Sequence, residues 1–226
     1  MRERANSATA PPFAVMDCTL LLRMSGLPPA YNMRDLSDRI ASCSDDTLYH
    51  HFCETLLRPT FDDPDYRNDF AVWAKQGLGD PVLAEQLGII DPYSFASLTE
   101  LRAHVHEIIE ERLAEVSPWA PTARPGYEFR FTEATIVVFD TGERVRRPHD
   151  LPRSIARMSD GSIYFHFLEA RRRPPRQMDD FSAWLREYPG DWARHLQAIQ
   201  GIDVHFHSLP TMRRALADSL LGLPDT

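Results

Sequence analysis

At 226 residues, with 43% hydrophobic and 26% charged side chains, the chain has the balance of a protein that folds around a core, as one large domain or two small ones. The net charge of −8 lies in the first half, because residues 1–126 hold 11 basic and 19 acidic residues while residues 127–226 hold 14 of each. Such a surface repels phosphate backbones and anionic headgroups, so neither nucleic acid nor a membrane is expected as a partner.

Residues 1–12 read as a flexible tail. Arg2 and Arg4 are not followed by an apolar stretch before Phe13, and the run from Phe13 to Met24 is interrupted by Asp17 and Arg23, so no signal peptide or membrane span is expected there. Within that run, Cys18-Thr-Leu-Leu-Leu suits a strand or a buried helix equally. Apolar spacings of three and four then begin: Leu36 with Ile40, Leu48 with Phe52, and Tyr49 with Cys53 and Leu56. They predict a short helix followed by a longer one from near Asp46. Further helices are expected at about 68–78 and 81–88, then a long one opened by Ser97-Leu-Thr-Glu100. That tetrapeptide is a capping box, and Leu98, Leu101, Val105, Ile108, Ile109 and Leu113 form one apolar stripe behind it.

Three prolines in residues 116–126 fix φ and remove backbone donors, which predicts an extended linker. Beyond it, Phe129, Phe131 and Glu133 alternate, and Ile136 and Val138 lead into Asp140-Thr-Gly142, which reads as a strand and a turn. Helices are expected from near Gly161, near 178–187 and near 191–199.

This second series repeats the first. Asp35–Glu54 aligns without a gap on Asp150–Glu169 with 10 of 20 positions identical, and Asn68–Trp73 aligns on Asp179–Trp184. Ser97-Leu98 falls on Ser208-Leu209, and Phe13 and Gly26 fall on Phe129 and Gly142. The expected fold is therefore mainly α with a minor β component, a tandem duplication of one helical unit (residues 13–115 and 127–222) packed as a two-fold pseudodimer.

The polar and amphipathic positions kept in both copies mark the candidate site. Tyr49 and His51 match Tyr164 and His166, Glu54 matches Glu169, and Asp69 matches Asp180. Histidine can move protons near neutral pH or ligate a metal, and an aspartate can fix its tautomer, so a ligand-binding pocket around Tyr49, His51, Asn68, Asp69, Tyr164, His166 and Asp180 is one reading. The other is structural: a half-buried histidine bonded to the aspartate that caps the next helix, beside a core tryptophan (Trp73, Trp184). Cys18, Cys43 and Cys53 face Ala134, Met158 and Leu168 in the second copy, which points to core packing. So few cysteines fit a reducing cytoplasm. His104 and His106 are two apart on a predicted helix and so diverge, His205 and His207 could face together on a strand but lack histidine counterparts in the first copy, and Arg171–Arg176 reads as a solvated basic surface. No Walker loop, G-x-G-x-x-G, G-x-S-x-G or H-E-x-x-H is present.

The string S/T-[IL]-Y-x-H-F, followed by N/D-D-F-x-x-W and Leu83-Ala-Glu-Gln-Leu-Gly-Ile-Ile-Asp-Pro-Tyr93, resembles an uncharacterised bacterial and archaeal domain-of-unknown-function family. The second copy departs from it, with Asp179 for Asn68 and Ile202-Asp-Val-His-Phe206 for Ile90-Asp-Pro-Tyr93, so any ligand shared with that family is expected on the first copy alone, and the resemblance itself supplies no activity. The expectation is a cytoplasmic ligand-binding or protein-interaction module whose partner is a small molecule or a protein and whose cofactor is unknown. The alternative is an enzyme using His51 and Asp69, with a divalent metal as an option.

Overall fold

A computed structural model of the chain describes residues 10–57, 66–116, 121–204 and 207–223. It is mainly helical with one two-stranded sheet, β1 (Phe13–Met24) paired with β2 (Thr132–Val145). The stretch that suited strand or helix is thus a strand. Its first residues alternate in burial, with Phe13 and Val15 inside and Ala14 and Met16 half-buried, which is the period-two signature of a pleated chain. The turn expected at Asp140-Thr-Gly142 does not form, because β2 continues through it. Asp140 accepts the Gly142 N–H at 2.8 Å and Gly142 takes a φ of 80°, so the turn residues make a local kink inside the strand.

The chain divides into two compact units. One, here the continuous unit, is Leu20–Ile136; the other, the split unit, joins Met1–Thr19 to Val137–Thr226.

In the continuous unit, α1 (Met33–Ser42), α2 (Asp45–Cys53), α3 (Asp69–Trp73), α4 (Pro81–Gly88) and α5 (Leu98–Val116) follow in order, and α3 runs on into a π-helical turn at Ala74–Leu78. Asn32, Ser44, Asn68 and Asp80 cap α1 to α4 by accepting a backbone N–H of the first turn. At α5, Ser97 accepts the Glu100 N–H at 3.2 Å, while the Glu100 carboxylate takes the N–H of Ala96, one residue earlier than a capping box requires. Leu36, Ile40, Leu48, Phe70, Leu101 and Val105 make the core together with Phe129 and Phe131. The described part of the proline-rich stretch is held to this unit, since Ala123 donates its N–H to Tyr31 at 2.6 Å.

The split unit contains α6 (Leu151–Ile155), α7 (Asp160–Ile163), α8 (Asp180–Glu187), α9 (Ala193–Gln200) and α10 (Leu209–Leu220). The longer helix expected from Gly161 is short here, and passes into a π-helical turn at Tyr164–Leu168. Ser159, Asp179 and Ser208 cap α7, α8 and α10. Ile155, Ile163, Tyr164, Phe167, Phe181 and Leu216 are buried with Phe13 and Val15 of β1. All three cysteines are buried and none is in a disulfide. Burial pushes the Cys43 thiol up, although Arg102 donates to it and opposes the shift. No described helix is long and apolar enough to cross a membrane.

Candidate functional site

His51 sits near the end of α2, and Asp69 is the first residue of α3, directly after its cap Asn68. Their side chains meet, with His51 Nδ1 2.6 Å from Asp69 Oδ2. The other ring nitrogen is occupied too, because Nε2 accepts the backbone N–H of Thr132 at 3.0 Å. The imidazole is 3% exposed and packs beside the rings of Phe70 and Phe129, at centroid separations of 5.3 and 4.8 Å.

The split unit builds the same arrangement from its own residues. His166 Nδ1 lies 2.7 Å from Asp180 Oδ2, and Nε2 accepts the N–H of Met16 at 2.9 Å. The ring packs against Phe13 at 4.8 Å and Phe181 at 5.8 Å. In both units the backbone N–H fixes Nε2 as the bare nitrogen, so the single ring proton sits on Nδ1 and is donated to the aspartate. The lone pair that proton transfer or metal ligation would use is then already engaged.

The tryptophans follow the same plan. Trp73 and Trp184 are 7% and 6% exposed, and their indole N–H groups donate to the carbonyls of Tyr127 at 2.6 Å and Pro11 at 2.8 Å. Asn68 is a buried cap, accepting from Ala71 N–H and donating to the Leu87 carbonyl, both at 2.9 Å. Asp179 takes the equivalent role on α8, accepting from Ser182 N–H at 2.8 Å. Burial raises its carboxyl above the usual range, against the pull of those hydrogen bonds. The caps are therefore Asn68 and Asp179, and the histidine-bound aspartates come one residue later. Tyr164 is fully buried and Tyr49 half-buried against its unit's core; each stands two residues before its histidine and so points to a different face.

Asp180 also receives Arg173 Nη2 at 2.7 Å, and that guanidinium reaches the Phe165 carbonyl at 3.1 Å. Above them a cleft of about 310 Å³ is lined by Phe13, Met16, Arg173, Arg176, Asp180 and Trp184, among others. The basic run 171–176 is accordingly not all free surface, since Arg173 pairs with Asp180 and Arg176 with Glu187 at 2.6 Å. His104 packs on Phe95, and His205 lies outside the described residues. Among the described residues no group of three or more His, Cys, Asp or Glu side chains is placed to hold a metal ion.

Two polar features escaped the sequence reading. His50 and Glu54 form a fully buried pair, Nδ1 to Oε2 2.7 Å. Their spacing of four on one helix was the available signal, masked because Phe165 occupies the position aligned with His50. The second is a cleft of about 500 Å³ in the split unit, lined by Arg144, Arg146, Arg147, Arg153 and Arg157. Five arginines within fourteen residues were visible, but the even charge of the second half hid them.

No match was found among curated proteins. Among solved structures the chain is similar to OrfY from Thermoproteus tenax, with a TM-score of 0.75 and 24% identity, covering 94% of this chain and 96% of that one. Likeness at that identity concerns the fold. The model of a family described as "Family of unknown function (DUF5752)" matches residues 10–221, nearly the whole described chain, and the chain belongs to that family.

Proposed function

We propose that this chain is a ligand-binding module built by duplication of one mostly helical unit, in which His51–Asp69 and His166–Asp180 are structural clasps. The observation that carries the reading is that both nitrogens of both imidazoles are engaged, Nδ1 by an aspartate and Nε2 by a backbone N–H. A buried histidine satisfied in this way orders helix against strand and has no remaining atom for a substrate. Support for duplication comes from the sequence alignment together with the matching set of hydrogen bonds. Arg102 on Asp45 is paralleled by Arg213 on the aligned Asp160.

The rival enzyme reading needs a free Nε2. Long-range ¹H–¹⁵N correlation spectra of the histidine side chains at neutral pH test it directly. Two imidazoles held in the Nδ1–H form are expected, and His51→Gln or His166→Gln should lower the unfolding midpoint. Rings that exchange between tautomers, or a ligand whose binding disappears in either variant while the fold stays intact, would return the pairs to an active site.

A further inference from the structure

We infer that the arginine-lined cleft of the split unit binds a compact polyanion, a small molecule carrying two or more phosphoryl groups. This rests on the reading of the chain as a binding module and names its ligand class. The cleft is formed where β2 ends, by Arg146 and the extended Arg147, and by α6 with Arg157 just beyond it. Five of its nine lining residues are arginines, against two acids, Glu143 and Asp150.

Those acids do not neutralise the set. Arg157 reaches Glu143 at 3.1 Å, and Arg147 reaches Asp150 at 3.2 Å. Arg144 is turned to Asp140, which is not among the lining residues, and holds that carboxyl down at about 2 with help from the Gly142 N–H. The side chains of Arg146 and Arg153 have no hydrogen-bond or ion-pair partner among the described residues, and both residues are exposed. Two uncommitted guanidinium groups thus stand in a cleft that already holds three more. Guanidinium is always charged and presents planar paired donors, a geometry that matches phosphoryl oxygens. The mutual repulsion of the five is relieved when an anion enters.

Size and lining narrow the ligand further. A volume of about 500 Å³ lies within the range of small-molecule sites. Val145 is the one apolar residue in the lining and no aromatic ring is present, so there is no platform for a stacked base, and charge and hydrogen bonds must do the holding. The acidic first half disfavours a long polyanion such as RNA. The basic character also belongs to this half of the chain alone, because Arg153 and Arg157 stand where the aligned first half has Asp38 and Ser42. Arg173 and Arg176, in the other cleft, are already committed to Asp180 and Glu187.

Isothermal titration of the full-length chain at low salt, with inorganic pyrophosphate and orthophosphate as probes, tests the assignment. Pyrophosphate should bind more tightly than orthophosphate, and more weakly as salt rises. Arg146→Gln and Arg153→Gln should each weaken it about tenfold, the loss of one charge-assisted contact. Their unfolding midpoints should not change, and Arg176→Gln should bind as the parent does. Undiminished affinity in the Arg146→Gln/Arg153→Gln double variant would overturn the site. A single-stranded RNA oligonucleotide that displaces pyrophosphate at lower concentration would overturn the ligand class. If pyrophosphate fails to bind at millimolar concentration the inference falls, while the module reading, which is tested on the imidazoles, is untouched.

Discussion

At Asp179 a buried carboxylate caps a helix that in the aligned first half is capped by an amide, Asn68. Aspartate and asparagine cap about equally well, so the difference between them is the cost of burying charge. Burial raises the folded pKa of Asp179 above the unfolded value of about 3.9. A group shifted in that direction contributes fully below the unfolded value, and loses that contribution as pH rises through the folded one. Asp179→Asn is therefore expected to stabilise the protein at pH 7, with the gain shrinking as pH falls toward 4; urea melts at both pH values check it, and a variant less stable at pH 7 would refute it. Trp73 and Trp184 belong to the same scale. Each fills core volume and satisfies a carbonyl, so replacement by alanine should cost roughly 3–5 kcal/mol in denaturant melts, and by phenylalanine much less. The burial of both was legible from Phe70 and Phe181 at helical spacing. Which carbonyl each indole would meet was not.

Helices α1 to α5, α8 and α9 were legible because their apolar periods are local. Strand β1 was ambiguous for a physical reason: Leu21 and Leu22 are apolar yet 60% and 53% exposed, so the hydrophobic run does not alternate as a half-buried strand should. Pairing with β2 decides it. The approach of β1 to α7 explains a further difference between the aligned halves. A Cβ on Gly161 would stand 2.3 Å from the Cys18 carbonyl oxygen, a backbone atom that cannot swing aside, whereas the aligned Asp46 is exposed. Gly161→Ala should then cost about 1–3 kcal/mol, and Asp46→Ala less than about 0.5 kcal/mol. Equal, small losses in chemical denaturation would mean that strand and helix are not in such close contact.

For the molecule as a whole, the compact units and the proposed repeat copies assign the opening strands differently. Phe13 opens the first copy in sequence, but its ring lies with His166, Phe181 and Trp184 of the split unit, while Phe129, from the second copy, lies with His51, Phe70 and Trp73. Hydrogen exchange can read this. Phe13→Ala should loosen residues 151–220 more than residues 33–113, and Phe129→Ala the reverse, each with a cost of roughly 3–5 kcal/mol. Loosening that follows sequence order would undo the assignment. By itself the sequence determined the helical periods and the repeated positions of His51 with Asp69 and His166 with Asp180, since these are written in side-chain identity at short or repeated spacing. The tertiary structure alone decided what closes each imidazole, because the partners are backbone N–H groups 81 and 150 residues away, and a backbone N–H leaves no mark in a sequence.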